Sequence, residues 1–294
     1  MTRQIDKSTA IKRVNSPYLN KILGWQFPVL DKGFIRAVDY MGDESSILQA
    51  ARVSYGSGTK STRQDKQLLD YLLRNNHASP FEMPHIRLHV KLPIFVARQW
   101  IRHRLVNLNE YSARYSVITD DFYEPEEYRL QDDVNKQGSN GVHPDSKIIA
   151  EVIKQKNEEI YKYYLLLLEK GVSREMARTI LPTSIYTEWY WQIDLRNLLG
   201  FLRLRDDHHA QLEIREYAKI ISDIVKMWLP NVYDSYINHI KESVTFSKNE
   251  LTHLRQLLDE TALAKLDDLR CIDAEQNKIL KRVNKKIHKV CSAT

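Results

Sequence analysis

The middle of the chain holds an arginine- and histidine-rich segment whose residue types suit the binding of an anion. Five basic side chains fall within seventeen residues, interspersed with Glu110 and Ser112: Arg98, Arg102, His103, Arg104 and Arg114. Arginine keeps its charge and offers a planar fork of N–H donors that fits phosphate. The alternative is a surface helix whose arginines pair with the acidic stretch after Asp120. Composition alone does not decide between the two.

Two other polar segments interrupt stretches that are otherwise apolar. Residues 77–82 lie where a helix is predicted to end, and a second segment runs from Asp194 through Arg205 to Gln211. Arg178 stands shortly before the dipeptide Leu-Pro at 181–182. Each feature is weak alone. Together with the central cluster, they predict one convergent site for an anion.

The familiar nucleotide-binding loops do not fit this sequence. Residues 56–61 look like a phosphate-binding loop, but Thr59 separates Gly58 from Lys60, and the motif needs glycine and lysine in direct succession. Moreover, no G-x-G-x-x-G pattern follows a predicted strand. A dinucleotide, if one binds, is therefore not held as in the Rossmann fold.

Metal and thiol chemistry are also not expected. His85 and His89 have a zinc-like interval, but no third ligand is adjacent, and surface histidines with ordinary partners are the more common case. The pair at 208–209 is an equally poor signal. Cys271 and Cys291 lie far from every polar cluster, which argues against a thiol nucleophile. We predict no metal site.

Composition and charge give the chain an ordinary globular character. It has 294 residues, 43% of them hydrophobic, so one large domain or two small ones are expected. The chain has a net charge of +6. Residues 276–294 contain six Lys and Arg residues and no acidic residue, so residues 1–275 have no net charge. A nucleic-acid-binding protein that uses the arginine cluster and this basic tail is the alternative from another functional class.

The first residues and the number of cysteines indicate the cellular compartment of the protein. The first residues are polar and lack the apolar core of a secretory signal, and no apolar stretch approaches the roughly 20 residues that span a bilayer. Two cysteines are too few for a disulfide framework. We expect a cytoplasmic protein that does not enter a membrane.

Hydrophobic periodicity predicts the elements that would position these residues. Strands are predicted at 34–42, at 85–92, where apolar and polar side chains alternate strictly, and in the aromatic stretch 184–193. Asp43 is expected to cap the first helix. Residues 120–147 are predicted to form a loop. Helices are predicted at 43–53, 62–76, 93–104, 146–170, 173–181, 195–205, 211–229 and 247–291.

Four blocks of sequence carry a resemblance to a known family. Arg102-His103-Arg104, seven residues and then Ser112 form the pattern R-H-R-x7-S, which resembles the signature of the flavin-dependent thymidylate synthases. The likeness extends, in the same order as in the family, over about 34–230. Besides the wider run 99–115, its blocks are 77–82, 177–182 and 194–211.

The resemblance implies a fold, a reaction and an assembly. The fold would be α+β, a central and mostly antiparallel sheet flanked by helices, with 1–240 as the catalytic domain and 241–294 as a charged helical C-terminal extension without a catalytic role. The reaction would convert dUMP to dTMP, with methylenetetrahydrofolate as carbon donor and FAD, reduced by NADPH, as hydride donor. The family assembles as homotetramers with shared active sites.

The resemblance also implies roles for individual residues. Arg205 would be the main electrostatic catalyst, since a guanidinium beside the uracil stabilises the charge that develops there. Ser112 would bind the nucleotide rather than act as a nucleophile. The dUMP-binding residues would be Gln99, Arg102, Glu110, Tyr111, Ser112, Ala113, Arg114, Arg178 and Arg205. The FAD-binding residues would be Ser79, Arg102, His103, Arg104, Glu110, Asp194 and Arg196.

Two positions depart from the family pattern. Gly200 stands where a side chain that helps to contact FAD is expected, and a glycine inside a helix indicates close approach by a ligand or a neighbour. Asp194 replaces an asparagine, which adds negative charge near the flavin and removes an amide donor. Trp100, Trp189 and Trp191 are expected in the core rather than in a folate-binding platform.

Overall fold

The structure is a computed structural model that describes residues 13–53 and 62–257. The chain divides into two compact units, Met1–Lys241 and Glu242–Thr294. Most of the described residues belong to the first unit. What each unit does remains a prediction.

A five-stranded antiparallel sheet forms the centre of the first unit. Its order is β1-β2-β3-β7-β4, and β5 and β6 form a separate two-stranded sheet. The expected α+β class with a mostly antiparallel sheet is therefore confirmed. The strands are β1 Phe27–Val29, β2 Gly33–Met41, β3 His85–Pro93, β4 Asn107–Glu110, β5 Arg129–Gln131, β6 Ser139–Val142 and β7 Tyr186–Asp194.

Helices flank the sheet. The first unit also contains two 3₁₀ turns, at Ser79–Glu82 and Arg178–Ile180, and a π-helical turn at Ile237–Lys241. The helices are α1 Pro17–Asn20, α2 Glu44–Arg52, α3 Thr62–Arg74, α4 Ile94–Trp100, α5 Ser146–Glu169, α6 Arg174–Ala177, α7 Leu195–Arg205, α8 Leu212–Trp228, α9 Pro230–Tyr236 and, in the second unit, α10 Lys248–Leu257.

The core lies between one face of the sheet and the helices α4, α7 and α8. The alternation predicted for β3 is confirmed, since its apolar side chains at 86, 88, 90 and 92 are buried. Trp100, Trp189 and Trp191 are buried together, with Trp100 edge-on to both of the others, so their assignment to the core is also confirmed. Trp100 also packs against Phe201 of α7, so α4 and α7 lie next to each other.

The first helix begins as its sequence predicts. Asp43 accepts hydrogen bonds from the main-chain N–H groups of Ser45 and Ser46, while Ser46 Oγ accepts one from the Asp43 N–H. This reciprocal arrangement satisfies N–H groups that have no partner inside the helix.

The helix at the arginine cluster is shorter than predicted. We expected it to run over 93–104, with Arg98 and Arg102 on one face, but α4 ends at Trp100. Trp100 is buried, and the chain turns away immediately after it, so Arg102 is not on a helix at all. Residues 107–110 then form the edge strand β4, which the sequence did not predict because its NLNE segment is polar and exposed.

Two other segments differ from the prediction. Residues 120–147 are not a plain loop, because they contain the hairpin of β5 and β6. The helix predicted at 173–181 is α6 followed by a 3₁₀ turn. The rest of the helix predicted at 247–291, beyond α10, lies outside the described residues, as does the loop at 56–61. No helix of the described residues is long and apolar enough to cross a membrane.

Candidate active site

The guanidinium of Arg205 is held in place at the C-terminal end of α7. Its Nε donates to Nε2 of His103 at 3.2 Å, and its Nη2 donates to the main-chain oxygen of Gln99 at 3.3 Å. His103 also packs edge-on against Phe201, one turn earlier on α7. Three residues predicted to be functional, from segments about 100 residues apart, are therefore brought together.

The imidazole of His103 is neutral over most of the pH range. Burial and, to a smaller degree, the charge of Arg205 lower the pKa of His103 to about 4. Burial also lowers the pKa of Arg205 from its ordinary value, but a guanidinium remains charged at any pH near neutrality. The pair therefore carries one positive charge, which no acidic side chain compensates through an ion pair in the described part of the chain.

Other arginines of the site are available to bind an anion. The side chains of Arg102, Arg104 and Arg178 are exposed, and none of the three forms a hydrogen bond or ion pair with the residues described here. The acidic stretch after Asp120 has other partners: Lys91 pairs with Asp121 at 2.6 Å, and Lys32 pairs with Glu124 at 3.0 Å. The alternative of a surface helix paired with that stretch is therefore wrong for Arg102 and Arg104.

The segment after β4 carries the other residues expected to bind the nucleotide. The main-chain N–H of Tyr111 donates to Glu188 of β7, and Glu110 accepts from the Thr187 hydroxyl at 2.7 Å. Ser112 Oγ accepts from the main-chain N–H of Arg114.

The side chain of Arg114 points toward α6. It pairs with Glu175 at 3.1 Å, and both side chains are more than half exposed, so the pair is weak. Arg178 follows directly after α6, and Ala113 packs against the small apolar cluster beneath this region. The residues 110–114 and Arg178 therefore belong to neighbouring parts of the surface.

The remaining flavin candidates lie at the other end of α7. Asp194 is the N-cap of that helix, and its two carboxylate oxygens accept from the main-chain N–H and the side-chain amide of Asn197. Arg196 donates to Glu82 at 3.1 Å, and Ser79 is exposed in the same 3₁₀ turn as Glu82. The capping role of Asp194 was not predicted.

The convergence of all candidate residues on one site stays a prediction. Asp194 and Arg205 bracket the 11 residues of α7. A rise of 1.5 Å per residue therefore separates them by about 16 Å along the helix axis. By predicted role, the candidates form two groups: a nucleotide group, which contains Arg205 and the 110–114 segment, and a second group, which contains Ser79, Asp194 and Arg196.

Gly200 has open space around it. No heavy atom of the protein lies within 4 Å of the position that a Cβ would occupy, once the backbone of its own helix is set aside. The close neighbour that a helical glycine indicated is therefore not provided by the described residues of the same chain.

One cluster of potential metal ligands stands out among the described residues. Asp207, His208 and His209 have ligand atoms within 4.8 Å of one another, and all three are exposed. Oδ1 of Asp207 is already engaged by the main-chain N–H and ring nitrogen of His209, both at 2.8 Å. Metal ligands in proteins are normally oriented by surrounding groups. That the chain holds no metal stays a prediction.

Sequence reasoning missed a buried network beside Arg205. Glu213, which is 3% exposed, accepts hydrogen bonds from Arg129, Tyr123 and Gln211. The available signal was a glutamate on the apolar face of a predicted helix, four residues before the buried Tyr217. A charge in that position requires partners.

Comparison with known proteins decides the family. The model of the family described as "Thymidylate synthase complementing protein" matches residues 36–231, which is well over half of the chain. The chain belongs to this thymidylate synthase family. The resemblance seen in the four sequence blocks is therefore confirmed.

Named relatives and solved structures agree with this membership. A flavin-dependent thymidylate synthase of Ehrlichia ruminantium (strain Gardel) is 48% identical over 268 residues, which are 90% of this chain and 90% of that relative. One from Thermus thermophilus is 53% identical over 231 residues, 79% of this chain and 85% of the relative. The crystal structure of the UMP/dUMP methylase PolB from Streptomyces cacaoi, bound with 5-Br dUMP, is 28% identical with a TM-score of 0.67, covering 74% of this chain and 100% of that one.

The thymidylate synthase family match includes both groups of candidate residues. It begins before Ser79 and ends after Arg205, and the second compact unit lies outside it. The two cysteines, Cys271 and Cys291, also lie outside the match.

Proposed function

We propose that this member of the thymidylate synthase family methylates dUMP to dTMP with a bound flavin. The observation that carries the proposal is the constrained, uncompensated guanidinium of Arg205, held by His103 and Gln99 beside arginines that have no partner among the described residues. The names of the relatives support the reaction, and the dUMP analogue in the Streptomyces cacaoi structure supports the substrate.

The nucleotide group has the donors that dUMP requires. Arg205 uses two of its five N–H donors within the protein, which leaves three for a ligand. A guanidinium at the pyrimidine ring stabilises negative charge as it develops there, and such preorganised stabilisation is commonly a large catalytic contribution. Arg102, Arg114 and Arg178 offer charge for the phosphate, and Ser112 offers a hydroxyl. Gln99, Glu110, Tyr111 and Ala113 complete the proposed nucleotide site.

The flavin proposed for this enzyme is FAD, and the residue types fit it. A diphosphate needs fixed positive charge, and Arg102 and Arg104 supply two guanidinium groups without partners among the described residues. His103, Ser79, Asp194, Arg196 and Glu110 are the other proposed contacts. Bound FAD would supply the hydride that, together with the methylene carbon of methylenetetrahydrofolate, completes the new methyl group. NADPH is the proposed reductant.

We further propose that each active site is shared between subunits of a homotetramer. Asp194 and Arg205 lie at opposite ends of α7, about 16 Å apart along its axis. A site that needs both groups around one flavin is completed most simply when a second chain contributes Asp194 and Arg196. The open side of Gly200 is compatible with such a neighbour or with the flavin itself.

Two features fit this reaction better than the alternatives. Both cysteines lie outside the family match, so a thiolate that attacks the uracil has no candidate within it. The nucleic-acid-binding alternative receives no support from the comparisons, whose named relatives are thymidylate synthases. The cytoplasm is the proposed compartment.

The direct test is the formation of dTMP. The purified protein is incubated with dUMP, methylenetetrahydrofolate, NADPH and FAD, and nucleotides are separated by chromatography. We expect dTMP in the complete mixture and none when NADPH or the folate is omitted. A complete mixture that yields no dTMP, from protein shown to be folded, contradicts the proposal.

A further inference from the structure

Glu213 is a buried carboxylate that the proposed reaction leaves unexplained. It lies in the first turn of α8 and is only 3% exposed. Removing a charge from water is unfavourable unless the charge is paired and hydrogen-bonded. The contacts of Glu213 therefore indicate its role.

One oxygen of Glu213 connects α8 to the hairpin segment. Oε1 accepts from Arg129 Nη2 at 2.6 Å and from the Tyr123 hydroxyl at 3.2 Å. Arg129 is itself fixed, because its Nε donates to Ser139 Oγ at 2.8 Å across the β5–β6 hairpin. The segment 120–147 thus supplies the counter-charge for a carboxylate on another element.

These contacts keep the carboxylate ionised. Burial acts to raise the pKa of Glu213, but the hydrogen bond and charge of Arg129, with the amide of Gln211, hold it below its ordinary value. The pKa of Tyr123 is raised by burial and by the charge of Glu213, so Tyr123 remains a donor. An ionised carboxylate accepts hydrogen bonds and donates none.

The second oxygen of Glu213 begins a chain of hydrogen bonds that leads to the nucleotide group. Oε2 accepts from Gln211 Nε2 at 2.8 Å, so the amide of Gln211 must turn its oxygen away from Glu213. That oxygen accepts from Gln99 Nε2. The amide of Gln99 is therefore oriented with its nitrogen toward Gln211, and its Oε1 has no partner in the described part of the chain. The main-chain oxygen of the same residue holds Arg205.

We propose that Glu213 is a positioning residue that fixes the amide orientation of Gln99 through Gln211. In this orientation, Oε1 of Gln99 accepts a hydrogen bond from an N–H or O–H group of the nucleoside part of dUMP, not from its phosphate. The inference rests on the proposed function, since it assumes that Gln99 faces the nucleotide. It also gives the hairpin segment a role, because Arg129 keeps Glu213 charged.

The first test replaces Glu213 with an amide of the same shape. The side chain in Glu213→Gln can donate as well as accept, so it no longer dictates the orientation of Gln211 and Gln99. We expect KM for dUMP to rise about tenfold, the size of one lost hydrogen bond, with kcat changed less than about twofold. Inhibition by inorganic phosphate should stay unchanged. The matched control is Glu216→Gln, one turn further along α8 and paired with Lys219 on the surface.

The second test interrupts the chain of hydrogen bonds at its middle. Gln211→Met leaves Glu213, Arg129 and Tyr123 in place but removes both amide contacts. We expect the same rise in KM as in Glu213→Gln, and no further rise when the two changes are combined, because both act through one path. A purely structural role of Glu213 predicts effects that add.

The outcomes separate this inference from the proposed function. Glu213→Gln with a wild-type KM for dUMP, or additive effects in the double variant, overturns the inference while the reaction stands. If Glu213→Gln does not fold, Gln211→Met decides, and a wild-type KM in that variant overturns it. A wild-type protein that neither binds nor methylates dUMP overturns the proposed function itself, and the nucleotide role of Gln99 with it.

Discussion

Arg205 Nε donates a hydrogen bond to Nε2 of His103 at 3.2 Å. For Nε2 to accept, the imidazole must be neutral and carry its proton on Nδ1. The lowered pKa of His103 is consistent with this state. His103 therefore orients the guanidinium without adding a second positive charge or neutralising the first. The proposed catalyst keeps its full charge for the nucleotide.

The burial of His103, with the charge of Arg205 beside it, predicts a loss of stability in acid. In the unfolded chain His103 titrates near 6.5, whereas in the folded protein burial and Arg205 hold its pKa at about 4. Between these values the unfolded state binds more protons, so stability falls as the pH decreases from about 6.5 toward 4. Thermal unfolding midpoints measured across this range should fall less steeply for His103→Asn.

The control for that experiment is His208→Asn. The side chain of His208 is 79% exposed, and its replacement should leave the slope of the wild-type curve unchanged. Identical slopes for wild type and His103→Asn would show that His103 is not the buried, neutral imidazole that the structure describes.

Arg205→Ala should abolish methylation while the flavin stays bound. We expect kcat to fall by at least about a hundredfold, the usual cost of removing one preorganised group that stabilises charge. Arg203→Ala, two residues earlier on α7 and exposed to solvent, is the matched control and should retain near-wild-type turnover. Steady-state kinetics and the flavin absorbance of both variants check this. Unchanged turnover in Arg205→Ala would remove Arg205 from the mechanism.

Ser112→Ala should weaken nucleotide binding and leave the chemistry intact. Ser112 Oγ accepts from the Arg114 main chain, and the described residues place no histidine or carboxylate within hydrogen-bonding distance of it to act as a base. We expect KM for dUMP to rise about tenfold, as for one lost hydrogen bond, with kcat nearly unchanged. Complete loss of turnover with normal dUMP binding would instead indicate a nucleophile.

Mixed oligomers test whether the active site is shared between chains. Arg205→Ala and Arg196→Ala should each be inactive alone, because they damage different halves of every site. When the two variants are co-expressed and purified through different tags, some sites receive an intact half from each chain. We expect roughly a quarter to a half of the wild-type activity, in proportion to the sites that combine two intact halves. No recovery in demonstrably mixed oligomers would place both residues in one chain's site.

Much of the fold could be predicted because its patterns are local. The strict alternation over 85–92 and the Asp43 cap each depend on neighbours in sequence, and both are present in the structure. The end of α4 depends on something else. Trp100 is buried between β7 and α7, and the chain leaves the helix there although 101–104 continue a helical pattern. Tertiary packing decided this boundary.

The candidate site was only partly visible in the sequence for a related reason. The residue types of Arg205 and His103 indicated an anion site, but their contacts with each other and with Gln99 join segments about 100 residues apart. The Glu213 network could not be predicted, because its counter-charge Arg129 comes from a segment that looked like a polar loop. The expectation of a single convergent site stays a prediction, because Asp194 and Arg205 lie at opposite ends of α7.

The most direct test of the central claim is the visible absorption spectrum of the purified protein, followed under anaerobic conditions as NADPH is added with and without dUMP. We predict a flavin spectrum that bleaches on reduction, and bleaches faster when dUMP is present, which would tie the flavin, the reductant and the nucleotide to one site. A colourless protein that takes up no added FAD would contradict the assignment of a flavin-dependent thymidylate synthase.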